Sequence, residues 1–329
     1  MNAKLILIEG IPGSGKSVAA QTVARRLNEA GKPVRWWYEE EVGHPIYLFH
    51  AATTLQAINR NFFSGAHERV VAAALQRWAR FADEALRSGT TAVADGTFFG
   101  YLTWTLHYLD RPADETLTYA RHVQDALAPL DVWLVYLRQR DVVATMRHVL
   151  AVRGAGWAER TIRKAAGSPY GRARGLDGFE GLTRFWADYQ ALADRLFEDV
   201  RLPKLAVDVA VGGWADAGAA IEAFLNLPPA RASQPTDPDY LGRFAGAYRA
   251  PDGSVAHVTL GDDAPADGAL AVRGLRQVWP GQRLVSVGGD AFEVLSLPFT
   301  IRFEVDTMRI EGPELFGGRP PAALVRVPD

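Results

Sequence analysis

Apolar positions fall into two regimes along this chain. Up to about residue 227, short apolar runs alternate with stretches in which apolar residues recur every three or four positions. The short runs read as buried strands and the 3.6-residue period as helices. Strands are predicted at 4–8, 34–39, 90–95, 132–137 and 204–209. Helices are predicted over 18–30, 46–64, 66–87, 99–110, 114–127, 141–153, 179–200 and 214–225. The stretch 154–178 is broken by glycines, and 168–175 within it reads as loop. Strand and helix in alternation predict an α/β domain, a parallel sheet with helices on both faces.

The pattern then changes. Residues 228–238 carry repeated prolines and no apolar period, the mark of a linker. Beyond it, eight apolar runs of strand length are separated by Gly, Pro and Asp turns: 244–248, 255–260, 269–272, 283–287, 291–297, 300–305, 308–310 and 323–327. Many short strands in so little chain predict an all-β antiparallel barrel or sandwich at 239–329.

The first predicted strand runs into Gly10-Ile11-Pro12-Gly13-Ser14-Gly15-Lys16-Ser17, which fits G-x-x-x-x-G-K-[ST]. Strand, glycine loop and helix together are the context that gives this motif its meaning as a phosphate-binding P-loop. Gly10, Gly13 and Gly15 keep side chains out of the way of a phosphate. The N–H groups from Ser14 to Val18 would then face the anion. Lys16 would reach the β and γ phosphates, and Ser17 would hold Mg²⁺.

Ligands of an open parallel sheet sit beyond the C-terminal ends of its strands. The second strand runs into Tyr38-Glu39-Glu40-Glu41. Alternation would put Glu39 and Glu41 on one side and Glu40 on the other. Glu39 is the first candidate for a general base and Glu41 the second. The third strand ends in Asp95-Gly96-Thr97, and Asp95 is the candidate to orient Mg²⁺ together with Ser17. Arg147 and Arg153, with Arg172 further on, suit a lid over 147–178 that neutralises a transferring phosphoryl group and, through Arg172, holds the nucleotide. Trp36 and Trp37 face opposite sides of the sheet and read as core, as do Phe98, Phe99, Tyr101 and Trp104, which could alternatively line an acceptor pocket.

Composition narrows the partners. The net charge is −2, and residues 237–329 hold nine Arg, no Lys and thirteen acids, a net −4. The first domain is therefore near +2, too little for a nucleic-acid stripe. No cysteine is present, so disulfides, thiolate metal sites and a Cys nucleophile are excluded. No run of 18 apolar residues occurs and the chain enters its first strand without a leader pattern, so a cytoplasmic protein with no membrane partner is expected.

With these parts in place, the first 227 residues resemble the small-molecule P-loop kinases of the thymidylate kinase and deoxynucleoside kinase group. Ile8-Glu9-Gly10 leads into the P-loop, an Asp turn follows the third strand, and Val132 to Arg153 matches that group's strand and lid helix. The last strand and helix, 204–225, match in pattern. The resemblance implies a three-layer α/β/α fold with a five-stranded parallel sheet of order 2-3-1-4-5, ATP and Mg²⁺ as cofactors, and a small-molecule hydroxyl or phosphate as acceptor. Two motifs differ: Asp95-Gly96-Thr97 replaces an acid-Arg-Ser turn, and His44-Pro45 replaces an acid-Pro pair. The expected function is an ATP- and Mg²⁺-dependent phosphotransferase. The alternative is a nucleotide-binding regulator that uses the β domain to recognise a partner. A homodimer stays open.

Overall fold

A computed structural model describes residues 3–48, 60, 66–210, 214–229, 237–260, 270–275 and 281–328. The chain divides into two compact units, one of residues 1–39 and 43–228, the other of residues 40–42 and 229–329.

Five strands build the sheet of the first unit: β1 Leu5–Gly10, β2 Val34–Trp37, β3 Thr91–Asp95, β4 Val132–Gln139 and β5 Lys204–Val209. They pair in parallel in the order β2-β3-β1-β4-β5. Leu5, Ile6, Leu7 and Ile8 are all fully buried, as a central strand covered on both faces requires. Register sets the site. Ile8 lies opposite Asp95 on β3 and Val135 on β4, and Gly10 lies opposite Leu137. Asp95 and the P-loop therefore leave the same edge of the sheet side by side.

Helix α1, Lys16–Glu29, follows the P-loop and buries Ala19, Ala20, Val23 and Leu27, one stripe at helical spacing. Helices α2 His67–Arg87, α3 Leu102–Tyr108 and α4 Ala113–Leu127 lie between β2 and β4 in the chain. The predicted helix 46–64 falls mainly outside the described residues, and its first part, 46–48, is turn and bend.

The glycine-broken segment 154–178 is largely helical, and so is most of the predicted loop 168–175. Helix α5, Val142–Arg153, ends at Gly154, where φ 81° and ψ 166° turn the chain. Helix α6, Ala155–Ala166, starts at once, and α7, Pro169–Ala173, is capped by Ser168, whose Oγ accepts the Gly171 N–H at 2.7 Å. One glycine with positive φ changes the direction of the chain, and the Ser-Pro start at 168–169 restores helix. Helices α8 Gly178–Asp199 and α9 Trp214–Phe224 flank β5 in the chain.

β2 also ends two residues earlier than its pattern predicts. Residues 40–42 belong to the second unit, where Glu41 forms an antiparallel bridge with Leu315. There the Val42 N–H donates to the Glu314 carbonyl at 2.8 Å and the Phe316 N–H to the Glu40 carbonyl at 3.0 Å. Glu39 and Glu41 thus do not share one strand face.

The second unit is a closed antiparallel barrel, not a sandwich. Its strands are β6 Gly246–Arg249, β7 Val255–Leu260, β8 Leu270–Arg273, β9 Gln282–Gly288, β10 Ala291–Val294, β11 Thr300–Glu304, β12 Thr307–Glu311 and β13 Ala323–Arg326. Each pairs with the next, and β13 closes on β6. Along β11, Ile301 and Phe303 point inward while Arg302 and Glu304 face solvent. Phe303 stacks on Phe244 with ring centres 4.7 Å apart and meets Phe292 edge-on, so side chains fill the interior. A short helix, α10 Pro238–Gly242, stands at the end of the predicted linker.

Candidate active site

The P-loop is shaped by what a side chain would hit. At Gly10 a Cβ would collide with the Ser14 side chain and stand 2.7 Å from the Leu137 carbonyl. At Gly13, φ 81°, it would collide with Val149, and Thr145 would stand 3.0 Å away. Helix α5 therefore rests on the loop through Thr145 and Val149. Gly15 is left-handed at φ 85° and turns the chain into α1. The first N–H groups of α1, at Lys16, Ser17 and Val18, have no acceptor within the helix, as at every helix start. Ser14 Oγ is buried and has no hydrogen-bond partner among the described residues. A buried hydroxyl left over in a glycine cradle beside free N–H groups fits a phosphate.

Five residues, from the ends of β2 and β3 and the start of α1, form one constellation. Lys16 Nζ lies 3.1 Å from Glu39 Oε2, with only 8% of the lysine side chain exposed. Ser17 donates its hydroxyl to Asp95 Oδ2 at 2.6 Å. Trp36 donates its indole N–H to Asp95 Oδ1 at 2.8 Å. Asp95 is fully buried, and burial, with the charge of Glu39 adding to it, pushes its carboxyl up to about 7. Lys16, Ser17 and Trp36 pull the other way.

The tight packing needs Gly96. Its φ is 64°, and a Cβ there would collide with Glu39 Oε2 and stand 2.8 Å from Lys16 Cε. Below it lies Glu9, also fully buried. Glu9 Oε1 accepts the N–H groups of Thr97 at 3.0 Å and Phe98 at 2.7 Å, and Oε2 accepts that of Phe99 at 3.1 Å. Burial still pushes this carboxyl up to about 8, against the three donors and Lys16. Glu9 fixes the backbone just past Asp95.

Tyr47 closes the same region. Burial, then the charges of Glu39 and Asp95, push its hydroxyl well above the usual range, and it hydrogen-bonds the Thr97 side chain. His44 stacks on Tyr47 at 4.1 Å. Its Nδ1 accepts the Ile46 N–H at 3.3 Å, and burial, with Arg35 behind it, drives its pKa down to about 3. His44 is thus neutral and orders the loop.

The remaining predicted site residues do not converge here. Glu41 is buried in the second unit. The Arg147 guanidinium lies over the Phe179 ring at 5.6 Å and that of Arg153 over Trp157 at 4.6 Å. Arg172 donates to the Gly167 carbonyl. Phe98 and Phe99 are core, Tyr101 accepts the Leu48 N–H at 3.0 Å, and Trp104 stacks with Trp186.

No protein-family model and no curated protein matches this sequence. Among solved structures the chain is similar to deoxyadenosine kinase from M. mycoides with bound dATP. The TM-score is 0.36 and the identity 15%, over 68% of this chain and 97% of that one. A likeness this slight carries no inference about chemistry. The strand order and the P-loop geometry define the fold on their own.

Sequence reasoning passed over Glu9, Trp36, Gly96 and Tyr47 as site residues. Glu9 had a signal, an acid inside the apolar run Leu5–Gly10, where an ionisable group needs built partners. Trp36 had a weaker one, since a buried indole N–H seeks an acceptor. Tyr47 had none.

Proposed function

We propose that this protein is an ATP- and Mg²⁺-dependent phosphotransferase. It moves the γ-phosphate to a hydroxyl or phosphate of a small molecule, of the nucleoside, nucleotide, sugar or antibiotic-like kind. The observation that carries this reading is the joining of Lys16, Ser17, Glu39 and Asp95 at the strand ends beside a glycine cradle. A pure nucleotide-binding module needs no carboxylate facing its P-loop lysine.

Each residue has a role in this reading. The loop N–H groups, Ser14 and Lys16 hold the β and γ phosphates, and Lys16 balances charge on the transferring group. Ser17 and Asp95 are the oxygens that would hold Mg²⁺, which supplies further charge neutralisation when bound. Among the described residues no three His, Asp or Glu group could enclose a metal alone. That suits an ion held by few protein oxygens and by phosphates. Glu39 takes the proton of an acceptor hydroxyl as that oxygen bonds to the γ-phosphorus, and the bond to the β-phosphate oxygen breaks to release ADP. An acceptor phosphate is already ionised and would need no base. Arg147, Arg153 and Arg172 serve the transfer only after leaving their present contacts. Among the described residues no helix is long and apolar enough to cross a membrane. The cytoplasm is the expected setting, as the source of ATP.

The test is ADP release with panels of nucleosides, nucleotides, sugars and aminoglycosides, with Lys16→Ala as the blank. One acceptor class should raise the rate, and Lys16→Ala should lower it by about 10²–10³, the scale for losing one preorganised charge donor. Slow hydrolysis that no acceptor stimulates would point to the regulatory reading.

A further inference from the structure

Lys16 is already taken. Its ammonium pairs with Glu39 at 3.1 Å, both groups sit in a pocket that only glycine at position 96 leaves open, and just 24% of the Glu39 side chain is exposed. We propose that Glu39 occupies Lys16 in the nucleotide-free protein and competes with the phosphates for it, so that donor binding is what releases Glu39. This rests on the phosphotransferase reading and concerns the regulation of the same site.

A lysine ammonium is a compact charge on a flexible stem and can swing between partners. Lys16 starts α1 directly after the loop, so its reach covers the cradle on one side and the β2 end on the other. A ligand pays in affinity for the fraction of protein that must first leave a competing contact. A partly buried pair is screened less by salt than an exposed one. Two consequences follow. Without nucleotide, Glu39 is held against the Lys16 ammonium. With phosphates on Lys16, Glu39 is free beside Asp95, and base and donor become available together.

The competition makes an unusual prediction: removing the base should improve nucleotide binding. The experiment is calorimetric titration of the full-length protein with ADP in the presence of EDTA, at low salt. Glu39→Gln should bind ADP about 3- to 10-fold more tightly than the parent, the range for a partly buried pair that must be broken. Charge removal alone would also help an anion, so Glu39→Asp is the deciding variant. It keeps the charge but is one methylene too short to hold Lys16, and it should tighten ADP binding too. Lys16→Ala should weaken ADP binding, and adding Glu39→Gln to it should tighten binding less than it does in the parent, because the competitor then has nothing to hold. Thermal melts establish that each variant is folded. Unchanged or weaker ADP binding by Glu39→Gln overturns the proposal, since Lys16 would then serve both partners at once. Tightening by Glu39→Gln with none by Glu39→Asp overturns it as well, leaving simple repulsion. If Lys16→Ala binds ADP like the parent, it is the P-loop reading that fails.

Discussion

Trp36 donates its indole N–H to one oxygen of Asp95 at 2.8 Å, while Ser17 fills the other at 2.6 Å. This fully buried carboxylate at the strand ends is thus held from both sides. Its tryptophan partner sits on the neighbouring strand, with its ring edge-on to Tyr38 at 5.8 Å.

Trp36→Phe keeps the ring contact and removes only the donor. Leaving a buried acceptor short of a partner costs about 1–3 kcal/mol. We expect a lower melting temperature, turnover down roughly tenfold, and a raised Mg²⁺ requirement, since Asp95 would lose its orientation. Initial rates across a Mg²⁺ series test this. An unchanged Mg²⁺ dependence would reduce Trp36 to core packing.

Gly96→Ala places a methyl group against Glu39 and Lys16 at a left-handed φ of 64°. Gly31 is the control, with φ 73° and nothing within 4 Å of an added Cβ. Both substitutions carry backbone strain of about 1–2 kcal/mol. Only Gly96→Ala should also lower turnover, by tenfold or more. Equal turnover in the two variants would count against a tightly fitted Lys16–Glu39 pair.

Glu9 gives a pH signature. Its carboxyl is raised from 4.5 to about 8, so between those values the folded protein holds a proton that the unfolded chain has released. Stability from this group is complete below pH 4.5 and is lost as pH rises through about 8. Asp95 acts the same way but only up to about 7. His44 and His107, lowered to about 3 and about 4, act in the opposite sense below 6.5. From pH 7 to 8 Glu9 therefore carries most of the slope, with Asp95 adding the proton it has yet to lose. Denaturant unfolding should show stability falling there by up to about 1.4 kcal/mol per pH unit. Glu9→Gln should lower stability overall, since its amide NH₂ must replace an oxygen facing a backbone N–H, and should flatten that slope. The same slope in both proteins would assign the effect elsewhere.

Arg147 tests the lid. Its guanidinium lies over Phe179, a contact worth about 0.5–1 kcal/mol, so Arg147→Ala should barely move the melting temperature. If Arg147 swings over the transferring group, kcat should fall about tenfold or more with little change in the KM for ATP. Unchanged kcat would confine it to packing α5 against α8.

Much of this protein was legible in its residue pattern because the signals are local. Buried parallel strands such as Leu5–Ile8 are continuous apolar runs, and barrel strands such as Thr300–Glu304 alternate, so strand positions and the two fold classes follow from period alone. The P-loop is equally local: its glycines and Lys16 lie within eight residues. Sequence alone could not decide what distant segments do to one another. Alternation puts Glu39 and Glu41 on one side of the chain, with Glu39 only ranked ahead, yet one meets Lys16 and the other bridges Leu315, because residues 40–42 join the barrel unit. Asp95 acquires Trp36 and Ser17 only through the register of β1, β2 and β3. Glu9 finds its three donors 88 to 90 residues away. The hydrophobic period writes the elements into the chain, but burial, charge pairing and hydrogen-bond completion are set where strands from different parts of it end side by side.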